Sequence, residues 1–205
     1  MQDIFHQFTE GLKNTTWPEF IAVVCGIASV IYSRKENILV FPVGIISTII
    51  YSYLYITHGL YADASVNFYY TVMSVIGWLM WARKKDGHTA LSITSSNKKD
   101  WLQAVLFFVV CWLILFMVLK NFTDSTVPQA DAFTSAAAFT GMWLMNKKKL
   151  ENWVWWIITD MASIPLNFYK HLVFTSFQYA VFLVLATMGY ITWREKIRTQ
   201  KTASL

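Results

Sequence analysis

Apolar residues run through this chain in seven blocks, near 17–33, 38–57, 61–82, 101–119, 130–146, 152–169 and 172–193, each about as long as a helix needs to be to cross hydrocarbon. Short polar stretches separate them. The blocks also repeat. From Glu36-Asn37, a run with Gly44 and Thr48 at mid-span is followed by a run with Tyr61 and Asn67 that closes on Gly77-Trp78-x-x-Trp81-x-Arg83-Lys84. Roughly 115 residues further on, from Glu151-Asn152, a run with Thr159 and Ser163 is followed by one with Gln178 that closes on Gly189-Tyr190-x-x-Trp193-Arg194.

This pattern predicts an all-α integral membrane protein of seven transmembrane helices in a 3+1+3 plan. Spans one to three and five to seven start on the same side, so the two three-helix repeats run parallel and the unrepeated fourth span inverts the chain between them. The expected divisions are a 1–16 extracytoplasmic N-terminus, repeat one at 17–85, a cytoplasmic loop and linker helix at 86–129, repeat two at 130–194, and a frayed cytoplasmic tail at 195–205. Two similar bundles that rock against each other can expose one shared site to each side in turn, which makes transport the first functional class to consider.

Composition agrees. With 56% hydrophobic and 14% charged residues and a mean hydropathy of +0.41, most of the chain belongs in lipid. Both cysteines, Cys25 and Cys111, fall inside apolar blocks and indicate packing rather than a disulfide framework. The first 17 residues lack the basic and apolar regions of a cleaved signal peptide, so the first span is expected to stay.

Lys and Arg collect after the odd-numbered spans, at Arg34-Lys35, Arg83-Lys84-Lys85 with Lys98-Lys99, Lys147-Lys148-Lys149, and Arg194 to Lys201, whereas the other loops hold only Lys120 and Lys170. Basic loops face the cytoplasm, which places the N-terminus outside and the C-terminus inside. The net charge of +5 is therefore topology and calls for no nucleic acid.

Polar groups within the spans are the candidate chemistry, because hydrocarbon offers them no partners. In the sixth span Trp153, Trp156, Asp160, Ser163 and Asn167 recur at helical spacing on one face. Asp160 lies near mid-span, where a carboxylate costs on the order of 2.5–3.5 kcal/mol, so it should face the bundle interior and find a protein or ligand partner there. Asn67 shares a face with Tyr70 and Ser74 in the third span, and Gln178 sits beside Tyr179 in the seventh. Each amide suits a carboxamide or sugar hydroxyls, or alternatively an interhelical contact. In the fifth span Asp131, Thr134 and Ser135 form a polar opening on the outer side. Glu36-Asn37 and Glu151-Asn152 read as helix caps, and Pro42 and Pro165 as bends.

Other classes fail on the residues. A retinal pump needs a Schiff-base lysine that 172–193 lacks. No catalytic dyad or metal cluster is expected, since His6, His58, His88 and His171 lie in loops or termini, and no phosphate-binding loop string is present, so neither an enzyme nor an ATP-driven pump is indicated.

The strings Lys35-Glu-Asn, Leu60-Tyr-Ala-Asp63 with Gly77-Trp-x-x-Trp81, and Lys149-Leu-Glu-Asn-Trp-x-x-Trp156-x-x-x-Asp160 resemble the PnuC family of bacterial nicotinamide riboside transporters, over about residues 19–193. The resemblance implies a fold similar to a full-length version of the SWEET transporters, in the bacterial inner membrane. It further implies inward facilitated diffusion of the riboside, drawn on by a cytoplasmic riboside kinase, with no cofactor. The assembly carried as an expectation is a homotrimer. The substrate-binding residues expected are Trp153, Trp156, Asp160, Ser163, Asn67, Tyr70, Gln178, Tyr179 and Thr134. A pyridinium cation, a carboxamide and ribose hydroxyls match aromatic faces, one carboxylate and amides. A SWEET-like or PQ-loop-like carrier of a nucleoside, thiamine or a sugar remains the alternative. Cysteine-accessibility labelling should place position 148 on the cytoplasmic side and position 59 on the outer side; the reverse at either position breaks the parallel-repeat scheme.

Overall fold

The computed structural model describes Thr9 and residues 16–85, 88, 89 and 91–203. Of the expected extracytoplasmic segment, all but Thr9 and Thr16 lies outside the described residues, as does the side chain of His88 in the loop after the third span. From Trp17 onward the chain forms α1 (Trp17–Arg34), α2 (Val40–Thr57), α3 (Tyr61–Ala82), α4 (Lys98–Phe122), α5 (Pro128–Asn146), α6 (Asn152–Tyr169) and α7 (Val173–Ala203), with a two-residue antiparallel pairing of Lys84–Lys85 and His88–Thr89 after α3. The seven expected spans thus stand as seven helices. The tail is different from expectation: the last helix continues through Ala203 instead of fraying at Ile197.

Helices pack in the order α1–α2–α3–α5–α6–α7 and back to α1, a closed ring of six, and α4 lies outside the ring against α5. On α4, Leu102, Leu106, Leu113 and Met117 are all more than half exposed, as suits a lipid-facing linker. Among the described residues, α2, α4 and α7 alone are membrane-span candidates by length and apolarity. α5 and α6 spend much more of their surface on protein; α5 buries Ala132, Ala136, Ala137, Ala138, Thr140 and Gly141 in the bundle. Small residues of this kind let helices approach closely in lipid.

The structure corrects the register of the repeat. Helix ends, not the Glu-Asn strings, are what correspond. Glu36 and Lys148 follow α1 and α5 with φ of 57° and 51°, and Gly59 and His171 follow α2 and α6 with φ of 75° and 59°. At all four ends the next amide reaches back across the last turn, Asn37 to Tyr32, Lys149 to Leu144, Leu60 to Tyr55 and Leu172 to Asn167, at 2.8–3.0 Å. This is a left-handed helix stop that satisfies orphaned carbonyls, usually made with glycine; here three of the four carry a side chain at a cost of about 1–2 kcal/mol each. The offset is 112 residues, the separation of Glu36 from Lys148. Accordingly Glu36 and Glu151 are not equivalent, and neither caps a helix with its side chain. Glu36 pairs with lysines, and Glu151 accepts from the Ser96 amide at 2.7 Å. Of the two strings only Asn37 serves at a helix start, accepting from the Leu39 amide at 2.9 Å. Pro42 falls in the first turn of α2, where no amide is missed, so it does not bend the helix; Pro165 does lie inside α6.

The repeats are joined by one contact made twice. The Trp81 indole of α3 donates to the Asn146 carbonyl at the end of α5 (3.2 Å), and the equivalent Trp193 of α7 donates to the Ser33 and Arg34 carbonyls at the end of α1 (3.2 Å each). Each indole meets an aromatic of its own repeat edge-on, Phe41 at 5.1 Å and Trp153 at 5.6 Å between centroids. One turn earlier, Gly77 and Gly189 give room for this. A Cβ at Gly77 would stand 2.3 Å from Asn146 Oδ1 and 2.4 Å from Phe41, and one at Gly189 2.6 Å from the Trp153 ring. Gly189→Ala should therefore lower stability by about 1–3 kcal/mol, seen as a lower melting temperature in detergent. Gly26→Ala, whose nearest new contact is an ordinary 3.4 Å, should melt close to the parent.

Candidate substrate-binding site

At mid-depth the two halves of the ring carry different chemistry at equivalent positions. With the 112-residue offset, Gly44 and Thr48 on α2 correspond to Trp156 and Asp160 on α6. Ser29 on α1 corresponds to Gly141 on α5, so the large and small partners are exchanged. In repeat one Gly44 packs on Ser29, whose Oγ would lie 3.0 Å from an added Cβ; in repeat two the Trp156 ring covers Gly141, 3.2–3.3 Å from where its Cβ would be. Thr48 is satisfied by a 2.7 Å hydrogen bond with Thr71 of α3.

Asp160 is not satisfied in this way. It is 3% exposed, and its carboxyl has no hydrogen-bond or ion-pair partner among the described residues. Tyr70 of α3 and Tyr179 of α7 stand close enough to feel its charge. Tyr179 lies beside Ser163, one turn beyond Asp160, and Gln178 lies beside Tyr51 of α2. Trp156 lies 6.4 Å from Tyr70 between centroids, and Phe139 of α5 packs edge-on to Tyr70 at 5.8 Å. Together α2, α3, α5, α6 and α7 bring one bare carboxyl, four hydroxyl-bearing side chains and an aromatic wall into the middle of the ring.

Not every candidate residue comes to this place. Trp153 is 1% exposed and packed between Gly189 and Trp193 at the end of the bundle that carries the basic loops, so it is core. Asn67 donates its amide to the Asp63 carbonyl of its own helix at 3.0 Å and remains half-buried beside Thr71. Thr134 bonds back to the Ala130 and Asp131 carbonyls and faces outward, lining a crevice of about 640 Å³ with Trp112, Phe116 and Lys120 of α4. That crevice is not the ring interior. Asp131 pairs with Lys170 and accepts from Ser125 Oγ at 2.7 Å, which makes it a tie at the end of the bundle. Tyr51 and Phe139 escaped the sequence reading, as did the place of Gly141 under the Trp156 ring. Only the equivalence of Gly141 with Ser29, invisible under the wrong offset, could have drawn attention to it. Among the described residues no cluster of His, Cys, Asp and Glu could hold a metal ion.

A family model described as nicotinamide mononucleotide transporter matches residues 16–195. The chain belongs to that family, the PnuC family. It is 25% identical over 199 residues to the nicotinamide riboside transporter PnuC of Neisseria mucosa, covering 89% of this chain and 74% of that protein. The PnuC riboside transporter of Escherichia coli is 18% identical over 220 residues, with 95% and 92% covered. The riboflavin/roseoflavin transporter RibM of Streptomyces davaonensis is 21% identical over 186 residues, with 88% and 86% covered. A crystal structure of the vitamin B3 transporter PnuC matches with a TM-score of 0.72 over 97% of this chain and 89% of that chain, at 23% identity, which establishes the shared fold. The matched proteins are transporters, and this chain is a multi-pass membrane protein of a transporter family rather than an enzyme.

The fit of Trp156 against Gly141 yields a check on the site's geometry. Gly141→Ala should shift the resonance of 5-fluorotryptophan at Trp156, because a half-buried ring yields before two helices do. Melting should change less than for Gly189→Ala.

Proposed function

We propose that this chain carries nicotinamide riboside across the bacterial inner membrane by facilitated diffusion, exposing the ring interior to each side in turn. The observation that carries this reading is Asp160, a buried carboxyl without a partner among the described residues, set beside Trp156, Tyr70 and Tyr179. A carboxylate in hydrocarbon calls for a compensating charge, and a pyridinium ring brings one on a flat body that aromatic faces attract. Ser163, Tyr179 and Gln178 supply donors and acceptors for the carboxamide and ribose hydroxyls. The riboside named for the Neisseria and Escherichia relatives fits this set.

The family model's name speaks of the mononucleotide, but the six ring helices carry Lys and Arg only at the basic end, at Arg34 and from Arg194 onward, and none at mid-depth. A phosphate dianion there would meet Asp160 and apolar walls without a basic partner. The riboflavin named for RibM is a neutral flat ring and leaves Asp160 uncompensated. In our reading the basic end is cytoplasmic, and phosphorylation by a cytoplasmic riboside kinase traps the cargo and keeps inward flow downhill. A single mid-depth acid with no second acid or histidine beside it gives no proton relay, so uptake into liposomes should ignore an imposed pH gradient.

Calorimetry on the purified protein tests the substrate. The riboside should bind, and the mononucleotide and riboflavin should bind far more weakly. Trp156→Ala should cost about 1–3 kcal/mol of riboside affinity, and Asp160→Asn should weaken the cationic riboside more than a neutral reduced analogue. Parent-like binding in both variants, or tighter binding of riboflavin, defeats the reading.

A further inference from the structure

Around the axis that relates the repeats, residues meet their own equivalents, and they do so at the basic end. Ser33 Oγ donates to Met145 Sδ at 3.4 Å, Lys148 Nζ donates to Glu36 Oε1 at 2.7 Å, and Trp81 faces Trp193 with centroids 6.4 Å apart. In an ideal symmetric pair the second contact would join like side chains. The fused repeat has put opposite charges there instead.

Lys148 is 3% exposed, an unusual place for a lysine. Its ammonium is fully employed, by Glu36, by the Leu91 carbonyl at 3.0 Å and by the face of Trp81 at 4.5 Å. Glu36 also receives Lys196 of α7 at 3.1 Å. Both Glu36 and Lys148 hold left-handed backbone that favours glycine, so the side chains are retained where a bare stop would be easier.

Over the same axis lies the strap 91–97. Ile93 is 2% exposed in the cluster of Val40, Phe41, Trp81, Trp153 and Trp193. The Thr94 backbone bonds to the Lys148 carbonyl (3.1 Å) and the Leu150 amide (2.9 Å), and the Ser96 amide donates to Glu151 (2.7 Å). The plug is tight but not fully satisfied. Asn146 Oδ1, Asn152 Oδ1, Trp153 Nε1 and Ser96 Oγ are buried there without partners among the described residues, which lowers the advantage of staying shut.

We propose that the axial Glu36–Lys148 pair and the 91–97 strap are the gate of the basic end, shut in this structure, and that transport requires Lys148 to leave Glu36 and Ile93 to leave the indole cluster. This rests on the transport reading but not on the identity of the cargo. It differs from a merely structural ion pair in one respect: opening at one end of an alternating carrier closes the other.

The test uses Ser163→Cys as a reporter in full-length protein with Cys25 and Cys111 replaced by alanine, reconstituted in liposomes of known orientation and labelled with a membrane-impermeant maleimide. No substrate is needed, so the result stands even if riboside binding fails. Lys148→Met and Ile93→Ala should each raise labelling from the basic side about tenfold and lower it from the other side. Glu36→Gln, which keeps shape and removes one charge, should do the same to a smaller extent, and serves if Lys148→Met melts early. The charge exchange Glu36→Lys with Lys148→Glu should return the rate toward the parent's. Unchanged labelling in any folded single variant, or a rise from both sides together, overturns the gate.

Discussion

The arrangement depends on the indole of Trp81 or Trp193 reaching the last carbonyls of the other repeat's first helix. A helix end inside a membrane bundle leaves carbonyls that neither lipid nor the next turn can satisfy. Two devices satisfy them here. The left-handed stop turns the next amides back on the helix, and the indole of the opposite repeat takes what is left. Since the indole donor belongs to the other repeat, satisfying the helix end and docking the repeats are one event. Gly77 and Gly189 are glycine because the approach leaves no space for a Cβ.

A two-fold frame gives every position a counterpart, and function needs the counterparts to differ. The ends of the helices stay alike, since the same carbonyls need the same donors in both copies. At mid-depth nothing of the sort constrains the residues. There Gly44 and Thr48 face Trp156 and Asp160 as equivalents, one half closed by a hydroxyl pair and the other left with an uncompensated carboxyl. The same freedom appears on the axis, where Glu36 and Lys148 turn a would-be repulsion into an ion pair.

Much of the fold was legible because lipid imposes a coarse code. Length and apolarity mark seven spans, and basic loops mark one end. Asp160 was legible for the same reason, a carboxylate being too costly in hydrocarbon to be incidental. The repeat register was not. Glu36-Asn37 and Glu151-Asn152 look alike as letters, yet helix ends align three residues away, since φ and the back-reaching amide, not side-chain identity, define a helix stop. Trp153 misled similarly: it shares the helical face of Asp160, but about two turns nearer the basic end that face meets Gly189 and Trp193.

By itself the sequence determined that this is a membrane bundle of two related halves with one acid in its interior, because burial in lipid depends on composition over a span and little on neighbours. Tertiary structure alone decided which residues meet. It closed the six helices into a ring, set Trp156 over Gly141 and Tyr70 near Asp160, sent Thr134 to an outer crevice, and drew Ile93 from a polar loop over the axis. Those contacts join segments far apart in the chain, and periodicity carries no information about which face of one helix another will cover.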